Sequence, residues 1–182
     1  MKYFPKVIWE KIYLSPLNID DAEVFVKWMC DSRISNNITA TPNIPTVQWE
    51  KERIESQKSN KNDRIFAIIK KDWDELLGTI WLHHINFINQ SAELWIFIWN
   101  YDELNKWYGT DAIKTLLWFW YNTLNLYNIF LWVKSYNERA IACYKKCGFR
   151  DVWKLNHCEY VEWKWYDLNL MESLKPNREK CK

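Results

Sequence analysis

Three glycines in 182 residues is the first anomaly of this chain. A domain of this length ordinarily carries about a dozen, near 7%, so many places where a backbone turns with positive φ must be filled by other residues. Long apolar runs are missing too. No stretch approaches the roughly 18 residues that span a bilayer, and the opening "MKYFPKVIWEK" has no apolar segment of the secretory kind. Charge of one sign is absent: 25 Lys and Arg stand against 23 Asp and Glu, a formal net charge of +2. That balance lacks the basic footprint of a nucleic-acid binder. The expectation is a cytoplasmic protein with neither nucleic-acid nor membrane partners.

The five cysteines, Cys30, Cys143, Cys147, Cys158 and Cys181, are odd in number and scattered. They suit a reducing compartment rather than a disulfide framework. Cys143 and Cys147 lie four apart on an expected helix, but no CxxC and no nearby His completes four ligands, so no metal is expected. His83 and His84, neighbours in an expected strand, should point to opposite faces as ordinary strand histidines.

What the chain does have is tryptophan, 14 in all. Around it the periodicity is legible. "KIYLSPL" alternates as a strand, and "NIDDAEVFVKWMCD" follows as a helix with Asn18 or Asp20 at its cap. After the Asn-, Thr- and Pro-rich loop "SNNITATPNIPT" (35 to 46), "VQWEKERIESQK" returns to helical spacing. "RIFAIIK", "ELLGTIWLHHI" and "SAELWIFIW" are three strands joined by short connections, hence antiparallel neighbours. "TDAIKTLLWFWYNTLN" is a helix, "IFLWVKSYN" a strand, and "ERAIACYKKCGF" a helix stopped by Gly148 with lysines in its last turn. A strand and a hairpin turning near "VEWK" close the order β, α, α, β, β, β, α, β, α, β, β. A single domain over residues 1 to 174 and a disordered tail from 175 to 182 are expected.

"NKWYGTDAIKTLL" followed by "SYNERAIACYKKCGF" resembles the GNAT superfamily of acetyl-CoA-dependent N-acetyltransferases, most nearly its RimJ/RimL and spermidine-acetyltransferase-like branch. The likeness runs over about residues 8 to 172. It implies an α/β (α+β) fold with a mixed, mostly antiparallel sheet of six to seven strands, splayed fourth and fifth strands, and four helices. The family's phosphate loop, written Q/R-x-x-G-x-G/A, maps onto Leu104 to Gly109, with Leu104 in place of Gln or Arg and Trp107 in place of the first glycine. Physical chemistry agrees: a loop running into a helix start aims backbone N–H donors, with a favourable dipole, at a diphosphate. Leu104, Asn105, Lys106, Trp107, Tyr108, Gly109 and Thr110 are therefore the expected cradle for acetyl-CoA. Phe97, Ile98 and Trp99 are expected to pair with its pantetheine arm as an added strand, and Asn137 to cap a helix and touch the same arm.

An acetyl transfer to an amine needs a base for the nucleophile and an acid for the departing sulfur. The resemblance places Tyr144 as the acid and Glu93 as the base. The acceptor would be a protein N-terminus or a small amine such as a polyamine, drawn by Asp20, Asp21, Glu23, Asp31, Glu50, Glu52 and Glu55. A monomer or homodimer is expected. Rival readings are a pseudoenzyme of the same fold and an aromatic-rich ligand-binding module, in which exposed indoles stack on sugars or bases.

Set against the family pattern, Trp9, Trp73, Trp81, Trp95, Trp99, Trp107, Trp120, Trp153 and Trp163 fall where such sequences carry glycine, with Trp118 and Trp132 as further candidates. "KDWDE" and "VEWKW" are strand reversals, where glycine is common. The expectation is that many of these are UGA codons written as tryptophan but read as glycine in the source, with Trp28, Trp49 and Trp165 genuine. About ten such changes would bring glycine to the ordinary share.

Overall fold

The computed structural model describes residues 2–36, 44–57, 60 and 62–176. Most of the loop 35 to 46 and the final residues 177–182 lie outside them. Eight strands form one sheet in the order β1-β2-β3-β4-β5-β6-β8-β7. These are β1 (Val7–Ile8), β2 (Ile12–Ser15), β3 (Arg64–Lys70), β4 (Glu75–Asn86), β5 (Ser91–Ile98), β6 (Asn128–Lys134), β7 (Arg150–Val161) and β8 (Lys164–Leu174). The helices are α1 (Ala22–Met29), α2 (Ser32–Ser35), α3 (Val47–Ser56), α4 (Tyr108–Asn122) and α5 (Glu138–Lys146).

The expected count of six to seven strands and four helices is thus exceeded by one of each. The additions are the two-residue β1 and the single turn α2, both too short to carry a period. The Asp31 side chain starts α2 by accepting the Arg33 N–H at 3.0 Å, just as Thr46 Oγ1 starts α3 by accepting from the Trp49 N–H at 3.1 Å. Both caps satisfy donors that a helix start leaves without partners.

Helices cover both faces. On one, α4 and α5 bury Ile113, Leu116, Trp120 and Tyr144 against Leu14, Ile68, Ile80 and Leu131. On the other, the α1 and α3 residues Ala22, Phe25 and Ile54 pack on Tyr13, Ala67, Ile69 and Trp99. Asp111 ties α4 to the start of β2, its Oδ2 accepting the Lys11 N–H at 2.9 Å. At Gly78 any side chain is excluded, because a Cβ would lie 2.0 Å from the Phe97 carbonyl oxygen.

The feature that makes a site is the pairing of β5 with β6. It is parallel and extends over only Ser91↔Asn128, Ala92↔Ile129 and Glu93↔Phe130. β5 stays on β4 as far as Ile98, while β6 stays on β8 as far as Lys134. Past Glu93 the two strands therefore part, as the family resemblance implied.

Backbone geometry divides the tryptophans. Trp107 has φ 73 and Trp163 φ 66, both left-handed, whereas in the "KDWDE" reversal the left-handed residue is Asp74 (φ 49) and not Trp73. The β7–β8 turn has Glu162 (φ 48) and Trp163 both positive, the geometry of a two-residue hairpin loop that favours Asn-Gly or Asp-Gly. A bulky residue there costs about 1–2 kcal/mol, and Trp163, 88% exposed, has little burial to offset it. Trp163→Gly is therefore expected to raise the unfolding midpoint by a few degrees, about 1 kcal/mol or less after the entropy of the added glycine. Trp73→Gly is expected to leave it unchanged or lower it. Thermal unfolding of the two variants checks the contrast. Two further indoles, those of Trp81 and Trp120, have buried Nε1 atoms with no hydrogen-bond partner, an arrangement that costs roughly 1–3 kcal/mol per group.

Candidate active site

The parting of β5 and β6 opens a cleft of about 620 Å³. Glu93, Phe97 and Ile98 line it from β5; Leu104, Asn105 and Trp107 from the following loop; Tyr108, Gly109 and Thr110 from the first turn of α4; and Asn137 and Tyr144 from the β6–α5 junction and α5. Two of the expected cofactor residues, Trp99 of the arm-pairing strand and Lys106 of the cradle, do not line it. Trp99 belongs to the second core, where its Nε1 donates to Thr79 Oγ1 at 3.1 Å and its ring stacks on Trp28 with centroids 6.0 Å apart. Lys106 is paired with Glu103 at 3.1 Å. Consecutive β5 residues up to Ile98 line the cleft and Trp99 lies just past its end, which strand alternation alone does not disclose.

The start of α4 supplies the donors. No side chain caps it, so the N–H groups of its first turn, from Tyr108 to Thr110, face the cleft end with the positive pole of the helix behind them. That arrangement fits a diphosphate. Trp107 does not fit as well. It sits at the helix cap with φ 73 and ψ −3, and the residue is 56% exposed at the loop surface. Lys146 Nζ lies 4.5 Å from the ring centroid, so a cation beside the start of α4 is held on an indole. At the other junction Asn137 Oδ1 caps α5, accepting the Ala140 N–H at 3.2 Å.

Sequence reasoning missed two sets of residues. The first is the stripe Arg139, Cys143 and Lys146, which faces the cleft from α5. Its i, i+4, i+7 spacing is the signal in the sequence, masked by the fact that lysines in a last helical turn are equally explained by the helix dipole. Thr110 Oγ1 lies 3.3 Å from Cys143 Sγ. The second set surrounds Glu93. His83 and His84 do not take simple opposite faces: the β4–β5 register breaks between His83 and Asn86, His84 has φ 52, and the two rings lie 5.8 Å apart. Such an irregularity re-aims a side chain. Asp63 braces it, with Oδ1 accepting the His84 N–H at 3.1 Å and Oδ2 lying 3.0 Å from His83 Nδ1. The outcome is His84 Nδ1 at 3.4 Å from Glu93 Oε2.

Tyr144 is buried in the wall of the cleft. Burial, reinforced by the neighbouring Cys143 and Cys147, pushes its phenol well above the usual range, so it is a neutral donor at any working pH. Three of the acids expected to draw a cationic acceptor are engaged elsewhere. Asp21 is buried against Lys2 and Tyr3, Asp31 pairs with Arg33 at 2.6 Å, and buried Glu50 holds Arg53 at 2.6 and 2.8 Å. Among the described residues no group of three or more His, Cys, Asp or Glu is arranged to hold a metal, and no helix is long and apolar enough to cross a membrane.

Comparison with known proteins agrees with this geometry. The model of the acetyltransferase (GNAT) domain matches residues 11–150. The spermidine N(1)-acetyltransferase of Vibrio cholerae serotype O1 is 25% identical over 153 residues, covering 80% of this chain and 88% of that protein. A crystal structure of spermidine N-acetyltransferase from Vibrio cholerae in complex with CoA and spermine superposes with a TM-score of 0.83 at 23% identity, over 91% of this chain and 96% of that one. A dodecameric structure of the Vibrio cholerae enzyme in an intermediate state superposes with a TM-score of 0.76 at 23% identity, over 91% of this chain and 94% of that one.

Proposed function

The chain belongs to the GNAT acetyltransferase family, and from that premise we propose that it moves the acetyl group of acetyl-CoA to a primary amine of a polyamine. The observation that carries this reading is the cleft itself, where β5 and β6 pair over only three positions and then part beside an uncapped helix start. The polyamine rests on the relatives, one of which binds CoA and spermine. Release of free thiol, measured against spermidine, spermine and a peptide with a free N-terminus, tests it. Turnover of the peptide alone would replace the polyamine by a protein acceptor, and no turnover with any of them, in the presence of bound CoA, would favour the pseudoenzyme.

The co-substrate supplies an acetyl thioester; the chain supplies position and protons. The N–H groups at the start of α4 hold the diphosphate, Phe97 and Ile98 align the arm, and Asn137 fixes the α5 side. Glu93 takes the proton that the amine loses, and Tyr144 gives one to the departing sulfur. His84, whose side chain is 81% exposed while that of Glu93 is 11% exposed, connects the carboxylate to solvent. His84→Ala is expected to slow turnover several-fold and to make kcat rise with added imidazole; a rate indifferent to imidazole would remove that role.

Trp107 is read as a glycine codon miswritten, and Trp163 with it, on their left-handed backbones. UGA at both positions in the gene supports this, and UGG at either removes it there. The expectation of a monomer or homodimer stands beside a dodecameric relative, and sedimentation velocity decides between them.

A further inference from the structure

The two cysteines of α5 are left over from the chemistry above, and they are placed unlike the others. Cys143 lines the cleft. A Cβ on Gly109, in the first turn of α4, would lie 3.8 Å from its sulfur, and the Thr110 hydroxyl is 3.3 Å away. Arg139 and Lys146, on the same face of α5, add positive charge. Cys147 lies one turn on, its thiol donating to the Thr110 carbonyl at 3.7 Å and interacting with Cys143 as well. The features that would attract a diphosphate therefore converge on one sulfur. Thiols beside helix starts and cations are the reactive ones.

We propose that Cys143 is a covalent modification site within the cleft, where its thiolate attacks a low-molecular-weight disulfide and the mixed disulfide so formed blocks the cofactor. In that step the Cys143 sulfur bonds to one sulfur of the disulfide. The original S–S bond breaks, and the second sulfur leaves with the electron pair as a thiolate. Cys143 is thereby oxidised and the departing half reduced. The neighbouring Cys147, then Thr110 and the nearby cations, hold the Cys143 thiol below its ordinary range, against burial. The Cys147 thiol is pushed the opposite way by the same partner and by burial, so it stays a proton donor. Attack by thiolate requires the deprotonated form, and the lowered thiol of Cys143 supplies more of it than an ordinary cysteine does. The adduct would sit beside Gly109 and Thr110, where the diphosphate belongs; this consequence rests on reading the cleft as a CoA site.

The test treats the reduced full chain, and the same chain carrying Trp107→Gly, with oxidised glutathione, and maps adducts by mass spectrometry over time. Cys143 is expected to be modified before the exposed Cys30, at a rate that falls as the pH is lowered and does so at a lower pH than for an ordinary thiol. Saturating CoA should slow the reaction at least tenfold. The adduct should weaken CoA binding at least tenfold, reversibly with dithiothreitol, while Cys143→Ser should show the same affinity before and after treatment. Modification of Cys30 or Cys158 ahead of Cys143, or a Cys143 adduct that leaves CoA affinity unchanged, overturns the proposal. If neither chain binds CoA untreated, the cradle reading falls and the blocking consequence with it, while the order of labelling still decides the reactive thiol.

Discussion

Trp107→Gly is expected to tighten CoA binding at least tenfold and to stabilise the fold by about 1 kcal/mol. Two effects add in the binding. A backbone without a Cβ can approach the diphosphate closely, and Lys146, now 4.5 Å from the indole centroid, is released to the phosphate. A hydrogen bond to a charged group contributes about 1.5–3 kcal/mol, and tenfold in affinity is only about 1.4 kcal/mol. The stability gain is separate, since the left-handed conformation (φ 73) is strained for tryptophan whether or not ligand is present. Titration calorimetry and thermal unfolding of the two chains measure both. An affinity unchanged by the substitution would mean that the indole lies clear of the ligand, and would leave the loop a different role.

Tyr144→Phe should lower kcat by about 10²–10⁴-fold, the usual worth of a positioned acid, while the KM for acetyl-CoA stays within about threefold. The phenol is buried against the cleft and its ring packs on Phe149 with centroids 5.9 Å apart, so removing one oxygen leaves the packing in place. Because burial holds the hydroxyl well above its ordinary range, the group stays protonated as pH rises. Any alkaline limb in the rate below about pH 10 would therefore belong to another group. Unchanged kcat in the Phe variant would assign the tyrosine to the core alone.

How much of this was legible beforehand depends on range. Elements longer than about six residues showed themselves by period, as in the stripe Ile113, Leu116, Leu117 and Trp120 that α4 buries. The two-residue β1 and the one-turn α2 did not, being too short to repeat a period. The loop that lines the cleft could be singled out because its parts are contiguous in sequence, from Leu104 to Thr110. Trp99 of the arm-pairing strand and Lys106 of the loop do not line the cleft, because contiguity does not say where a strand leaves it, or that Glu103 captures the lysine. His84 was invisible because its orientation depends on a register break braced by Asp63, 21 positions away. Local sequence does not encode that contact. Asp21 and Glu50 look like free surface acids in the sequence, yet both are buried on partners of their own.

A crystal structure of the Trp107→Gly chain grown with CoA bears most directly on the cleft. The diphosphate is expected within hydrogen-bonding reach of the Tyr108, Gly109 and Thr110 N–H groups, with the sulfur end between Glu93 and Tyr144. Density for the nucleotide on any other surface, with the gap between β5 and β6 closed by side chains, would contradict the assignment.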